Sequence, residues 1–284
     1  MVFKDGKTLI LDGATGTGLA NFIYEGDPLW ASRMNLTHRA EVKNLHKQYL
    51  LSGAEIISAN TFRTNPVSLK RANERSDDIS FLDNAFRVLY DLKQDYNFLI
   101  AGVNPPAEDS YTRRRNVSRK ELEENHYTHI MRLMDKGADF ILNETMSHID
   151  EIEICGEICE TNKIPYVMSL YFEEGKILSG EKLGKIIEIL NSSNTEAISF
   201  NCVKFEDLKF LDELNIKIRK GFYPNAGTSD VRSGKIKEVL SPEKFAENLA
   251  AFIDESTAFA GGCCGTTPGH IKELKEVLVE KGYN

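Results

Sequence analysis

Residues 140–170 read FILNETMSHIDEIEICGEICETNKIPYVMSL, and their three successive patterns decide the fold. An apolar run at 140–142 closes on Asn143 and Glu144. From 150 to 161 the spacing turns helical, with Ile152, Cys155, Ile158 and Cys159 on one apolar stripe. A second apolar run then fills 166–170. Strand, helix and strand in that order make a parallel pair joined by a crossover.

The same unit recurs in both directions along the chain. Strands are predicted at 8–12, 55–60, 98–103, 140–144, 166–170, 197–202, 218–224 and 258–261. Helices are predicted at 41–51, 80–92, 119–136, 150–161, 182–190, 205–211, 242–253 and 271–281. Eight strand–helix units in 284 residues fit a closed (β/α)8 barrel better than an open doubly wound sheet. No Pro/Ser/Gly-rich linker divides the chain, so 1–284 reads as one domain. Active sites of this fold sit where the strands end. Asp12, Asn60, Glu144, Cys202, Asn225 and the Cys263-Cys264 pair all fall at or just past predicted strand ends, and so are expected on one rim.

The formal charge is −8, from 43 acidic against 35 basic residues. That balance argues against nucleic acid, whose footprint is a basic stripe. The one basic cluster, Arg113-Arg114-Arg115, reads as a solvated loop. No apolar run reaches the roughly 18–20 residues of a membrane span, and residues 1–7 are not a secretory signal. The expected compartment is the cytoplasm, where few, clustered cysteines suggest metal binding or catalysis rather than disulfides.

Five cysteines divide into two groups. Cys155 and Cys159 share the apolar stripe of a helix and read as core. Cys263 and Cys264 sit in Gly261-Gly262-Cys263-Cys264-Gly265-Thr266-Thr267-Pro268. On a regular strand their side chains would oppose one another. The flanking glycines let the backbone leave that geometry, so both sulfurs can face one point. Thr266 or Thr267 is then the helix N-cap, with Pro268 in the first turn. Cys202, ending the sixth strand, is the candidate third ligand. Three thiolates with an open position suit a catalytic Zn2+ site. Inert packing and redox chemistry of the vicinal pair are the competing readings. The six histidines show no hydrolase-type spacing; His46, His126 and His129 fall on predicted helices in solvated or packing roles.

An ordered set of motifs spans nearly the whole chain. Leu11-Asp12-Gly13-Ala14-Thr15-Gly16-Thr17 is followed by Pro28-Leu29-Trp30-Ala31-Ser32 and by the stretch from His46 to Asn60-Thr61-Phe62. Then come Gly137-Ala138-Asp139 to Asn143-Glu144-Thr145, Asn201-Cys202, Tyr223-Pro224-Asn225-Ala226-Gly227 and the Gly-Gly-Cys-Cys-Gly element. The set resembles the homocysteine S-methyltransferase family, its S-methylmethionine-using subgroup most closely. The resemblance implies a zinc barrel in which Cys202, Cys263 and Cys264 hold the metal and the metal binds the substrate thiolate. It matches Asp12 and Glu144 to the family's substrate-binding carboxylates, which would recognise the ammonium of homocysteine. A sulfonium methyl donor and a methionine product follow from the same resemblance.

Several residues keep two readings. Asp12 is also a turn residue before Gly13, and Glu144 also a salt-bridge partner. Asn201 and Asn225 either orient substrate or satisfy loop backbone. Trp30, the chain's only tryptophan, either packs or offers its face to a cationic donor. The loop 104–116 departs from the family's Gly-Pro-x-Gly-Ala type stretch, which leaves open another small thiol or selenol as acceptor. A non-catalytic zinc- or thiol-binding protein is the alternative of another class. The length leaves no room for folate and cobalamin modules, so cobalamin dependence is not expected.

Overall fold

Parallel pairing runs unbroken around the molecule in the computed structural model, which describes residues 2–4, 6–24, 26–227 and 238–284. The strands are β1 (Leu9–Ile10), β2 (Ile56–Ser58), β3 (Leu99–Asn104), β4 (Phe140–Met146), β5 (Tyr166–Leu170), β6 (Ala197–Asn201), β7 (Lys220–Tyr223) and β8 (Thr257–Ala260). Their order is β1-β8-β7-β6-β5-β4-β3-β2, and a parallel bridge between Leu11 and Ile56 joins the two ends. The eight strands therefore close into the expected (β/α)8 barrel.

The covering helices are α1 (Arg39–Leu51), α2 (Ser80–Lys93), α3 (Arg119–Asp135), α4 (Ile149–Thr161), α5 (Leu183–Leu190), α6 (Phe205–Leu208), α7 (Pro242–Ala250) and α8 (Pro268–Glu280). Most boundaries lie within two residues of the sequence reading. The expected helix at 205–211 is instead the single turn α6 followed by a 3-10 turn, Lys209–Leu211. β1 is shorter than expected because the chain leaves the ladder after Leu11 to present Asp12 at the rim.

Alternate strand residues feed two cores. Phe140, Leu142, Val103, Val167, Ala197 and Phe259 fill the barrel interior, whereas Ile141, Met168, Ile198 and Phe222 pack outward against helices. Both faces are buried, which is why the strands read as continuous apolar runs. At the N-terminal ends of the strands Phe3 plugs the interior, its ring 5.5 Å from those of Phe140 and Phe259. Thr8 N–H donates to Tyr283 O at 2.8 Å, so both ends of the described chain meet on this floor. The opposite mouth is left for chemistry.

Candidate active site

The mouth holds a cavity of about 260 Å³ lined by the ends of β1 to β4 and β6 to β8 and the loops that follow them. One wall is sulfur. The Sγ atoms of Cys202, Cys263 and Cys264 lie within 4.8 Å of one another. Cys202 and Cys263 are joined as a disulfide, and Cys264 is free. This pairing departs from the expectation of three free thiols. The convergence that aims sulfurs at one point also brings two of them to bonding distance.

Glycines and one unusual backbone conformation produce that convergence. A Cβ on Gly261 would meet Leu11 Cβ at 2.7 Å and the backbone oxygens of Leu11 and Asp12 at 2.8 and 2.9 Å. Only glycine lets the loop cross β1 this closely. The loop is then stitched on both sides: Gly262 N–H donates to Asp12 O (3.2 Å), Cys263 N–H to Pro224 O (2.9 Å), and Ala226 N–H to Cys264 O (2.9 Å). Thr266 Oγ1 donates to Cys263 O (2.7 Å) and accepts from Ala14 N–H (3.0 Å). Thr267 is the N-cap of α8, with Pro268 in its first turn. Cys202 sits in the left-handed region at φ 55°. Such a conformation costs about 1–3 kcal/mol at a non-glycine residue and concentrates at functional sites. Asn225 holds it, donating Nδ2–H to Cys202 O at 2.8 Å.

Two carboxylates face the sulfurs. Asp12 is 1% exposed and accepts from Ser58 N–H at 3.0 Å. Burial drives its pKa well above the ordinary carboxylate range, and the Ser58 hydrogen bond opposes this only partly. His46 stands behind it, Nδ1 4.0 Å from Asp12 Oδ2, its own pKa lowered by burial to about 4. A neutral imidazole supplies no counter-charge. Glu144 is pushed up to about 7 by burial, with the Tyr223 phenol beside it acting the other way. Among the described residues neither acid has a Lys or Arg at salt-bridge distance. Burial and the charge of Glu144 raise the Cys264 thiol to about 12.

Glu144 owes its position to a bulge in β4. Register shifts between Asn143 and Met146, and Thr145 adopts φ 61°, rare for a β-branched residue. Asn201 clamps that residue from β6: its Oδ1 accepts from Thr145 N–H (3.0 Å) and Ser169 Oγ–H (2.7 Å), and its Nδ2–H donates to Thr145 Oγ1 (2.8 Å). Asp12, Glu144, Trp30 and the three cysteines line the cavity; Asn201 and Asn225 do not. The two asparagines bond the backbone of Thr145 and Cys202. Asn60 also serves backbone, donating to Ala31 O at 2.8 Å beside Trp30.

The remaining wall was not anticipated. Phe62, Arg63, Asp109 and Tyr111 join Trp30 there, the Trp30 and Phe62 rings meeting edge to face at 6.3 Å. Arg63 is the first charged residue past β2, a position the strand-end rule could have flagged. The loop 104–116 wraps around buried Glu108, which accepts from the Arg71 guanidinium and from Asn116 N–H at 2.6 Å. Arg115 is not solvated as expected: its side chain is 13% exposed and reaches Glu151 at 2.7 Å. Arg113 pairs with Glu173 at 2.7 Å. His126 and His129 are fully buried in a polar network: His126 Nε2 lies 3.0 Å from Glu151 Oε1, and His129 Nδ1 lies 3.0 Å from Asn104 Oδ1. Cys155 and Cys159 are buried there too. Among the described residues no helix is long and apolar enough to cross a membrane.

Fold and site together define a (β/α)8 barrel with three cysteine sulfurs clustered at the C-terminal mouth of its strands. A model of the homocysteine S-methyltransferase family matches residues 9–278, and the chain belongs to that family. It is 25% identical to homocysteine S-methyltransferase 1 of Arabidopsis thaliana, over 98% of this chain and 95% of that one. Its fold is similar to that of the homocysteine methyltransferase MmuM from Escherichia coli. The metallated form superposes with a TM-score of 0.77 at 21% identity, and the oxidized form with 0.79 at 22%. Both cover 95% of this chain and 96% of the other.

Proposed function

We propose that the protein transfers a methyl group from a sulfonium donor to the thiol of homocysteine, with zinc held by Cys202, Cys263 and Cys264. The observation that carries this reading is the convergence of three sulfurs on a cavity that also contains two cation-poor carboxylates. The donor set fits the metal. Cys264 and, once reduced, Cys202 and Cys263 would hold the zinc through three soft sulfur donors within 4.8 Å of one another, leaving a position for the substrate sulfur. Zinc bound there supplies the charge that keeps the substrate sulfur a thiolate at neutral pH.

The chain's own residues do the rest by position. Asp12 and Glu144 receive the substrate ammonium, which returns to each the cation that burial denies it. Trp30, Phe62 and Tyr111 face the donor cation. The thiolate sulfur forms a bond to the methyl carbon while the carbon–sulfur bond of the donor breaks. Its electron pair stays on the departing sulfur, which leaves as a neutral thioether. Thiolate and sulfonium charges cancel, so no proton moves in the step. The chemistry requires reduced cysteines, which suits the cytoplasm.

The test is methionine formation from homocysteine with S-methylmethionine, S-adenosylmethionine or betaine, with and without chelation of the metal. Chelator-sensitive methionine with a sulfonium donor is expected. Its absence with every donor, at full zinc loading, would defeat the proposal.

A further inference from the structure

We propose that Arg63 receives the carboxylate of the methyl donor and Asp109 its ammonium, so that the loops after β2 and β3 select a zwitterionic amino-acid sulfonium. The inference rests on the transferase reading for the donor's role, but its chemistry is that of binding.

Arg63 lines the cavity, and among the described residues only one of its five guanidinium N–H donors has a hydrogen-bond partner, Nη1 donating to Glu108 O at 3.2 Å. Among the described residues no carboxylate lies at salt-bridge distance from it, whereas Arg33, Arg71 and Arg115 each meet one. Its guanidinium rests over the Phe62 ring at 5.4 Å, which fixes the plane and leaves the fork to the cavity. Burial disfavours its charge. A planar, part-desolvated guanidinium of this kind is matched by a bidentate carboxylate. Asp109 stands at the mouth near Arg63, one oxygen accepting from Tyr111 N–H at 2.9 Å. Cation and anion thus sit beside one another, with Trp30, Phe62 and Tyr111 on the same wall. That order of charges suits an α-amino acid whose methylated sulfur points toward the cysteines. A donor lacking the amine meets only half of it.

Trp30 is the chain's only tryptophan and lines this cavity, so intrinsic fluorescence reports binding here. Three probes separate the charges: S-methylmethionine, its α-carboxamide (no carboxylate), and 3-(dimethylsulfonio)propionate (no ammonium). Arg63→Met is expected to weaken S-methylmethionine and the propionate by about 10- to 100-fold, the worth of a charge-assisted hydrogen bond. Carboxamide binding should stay unchanged, which also shows the pocket intact. Arg63→Lys should recover part of the loss. Asp109→Asn should weaken the two amine-bearing probes by roughly threefold and spare the propionate, as befits an exposed pair. Equal wild-type affinity for S-methylmethionine and its carboxamide would overturn the proposal. So would uniform weakening of all three probes by Arg63→Met, or no saturable binding of any. Methionine formation in the same samples is scored apart: Arg63-dependent binding without turnover defeats the transferase reading and leaves this one standing.

Discussion

Glu144 and Glu151 lie seven residues apart and differ in every respect that burial imposes on a carboxylate. Glu144 opens on the cavity with no cation at salt-bridge distance among the described residues, and burial raises its pKa to about 7. Glu151 is held at about 2 by His126, by Ala107 N–H and by Arg115. The first is an incomplete pair that a substrate ammonium finishes. The second is complete already and fastens the loop 104–116 to α4. The two halves of the mouth divide along the same line. The sulfur half is made of strand ends and glycine crossings; the loop half is fastened by ion pairs and a buried polar network.

The largest effect should come from the sulfur half. Cys264→Ser removes the one ligand outside the disulfide and is expected to abolish both zinc retention and methyl transfer. Metal content by atomic emission, measured beside methionine formation, checks it. A variant with full zinc would break the assignment.

Glu151→Ala should leave zinc content unchanged while destabilising the fold by about 3 kcal/mol, since it takes the carboxylate from buried His126 and Ala107 N–H and leaves Arg115 with Asp150 alone. Its pH dependence is distinctive. The folded pKa lies below the ordinary 4.5, so the stability from this group is present above pH 4.5 and lost as pH falls toward 2. Urea midpoints of wild type and variant should therefore converge across that window. Asp12 and Glu144 act oppositely, because acid neutralises charges that burial penalises.

Gly261→Ala is expected to cost about 2 kcal/mol, as its Cβ would press on the Leu11 Cβ and the backbone oxygens of Leu11 and Asp12, none of which can swing away. Here stability and zinc affinity should fall together, unlike in Glu151→Ala. The smallest change is Arg113→Ala. Arg113 is itself exposed and Glu173 only partly buried, so a loss under about 1 kcal/mol is expected from thermal unfolding.

Much of this was visible in the chain itself. Strands 140–144 and 166–170 announce themselves because both faces are buried, and the Gly-Gly-Cys-Cys-Gly element because only glycines allow vicinal sulfurs to converge. The bulge at Thr145 leaves no such trace, since nothing local marks a left-handed threonine; its cause is Asn201, 56 residues away. Arg115 looks solvated among three arginines because its partners, Asp150 and Glu151, arrive from the next crossover. Asn201 and Asn225 carry polar side chains at strand ends, and only their hydrogen bonds show that they brace backbone. Arg63 escaped because the motif that attracts notice stops at Phe62.

The floor formed by Phe3 has a practical corollary. Val2 N–H is tied to Glu196 at 2.9 Å, and Asn284 Nδ2–H to Thr8 O at 2.8 Å, so both terminal segments are moored on the side away from the cavity. A reporter or immobilising tag spliced to either end would hang beneath the barrel, leaving small molecules free to come and go above.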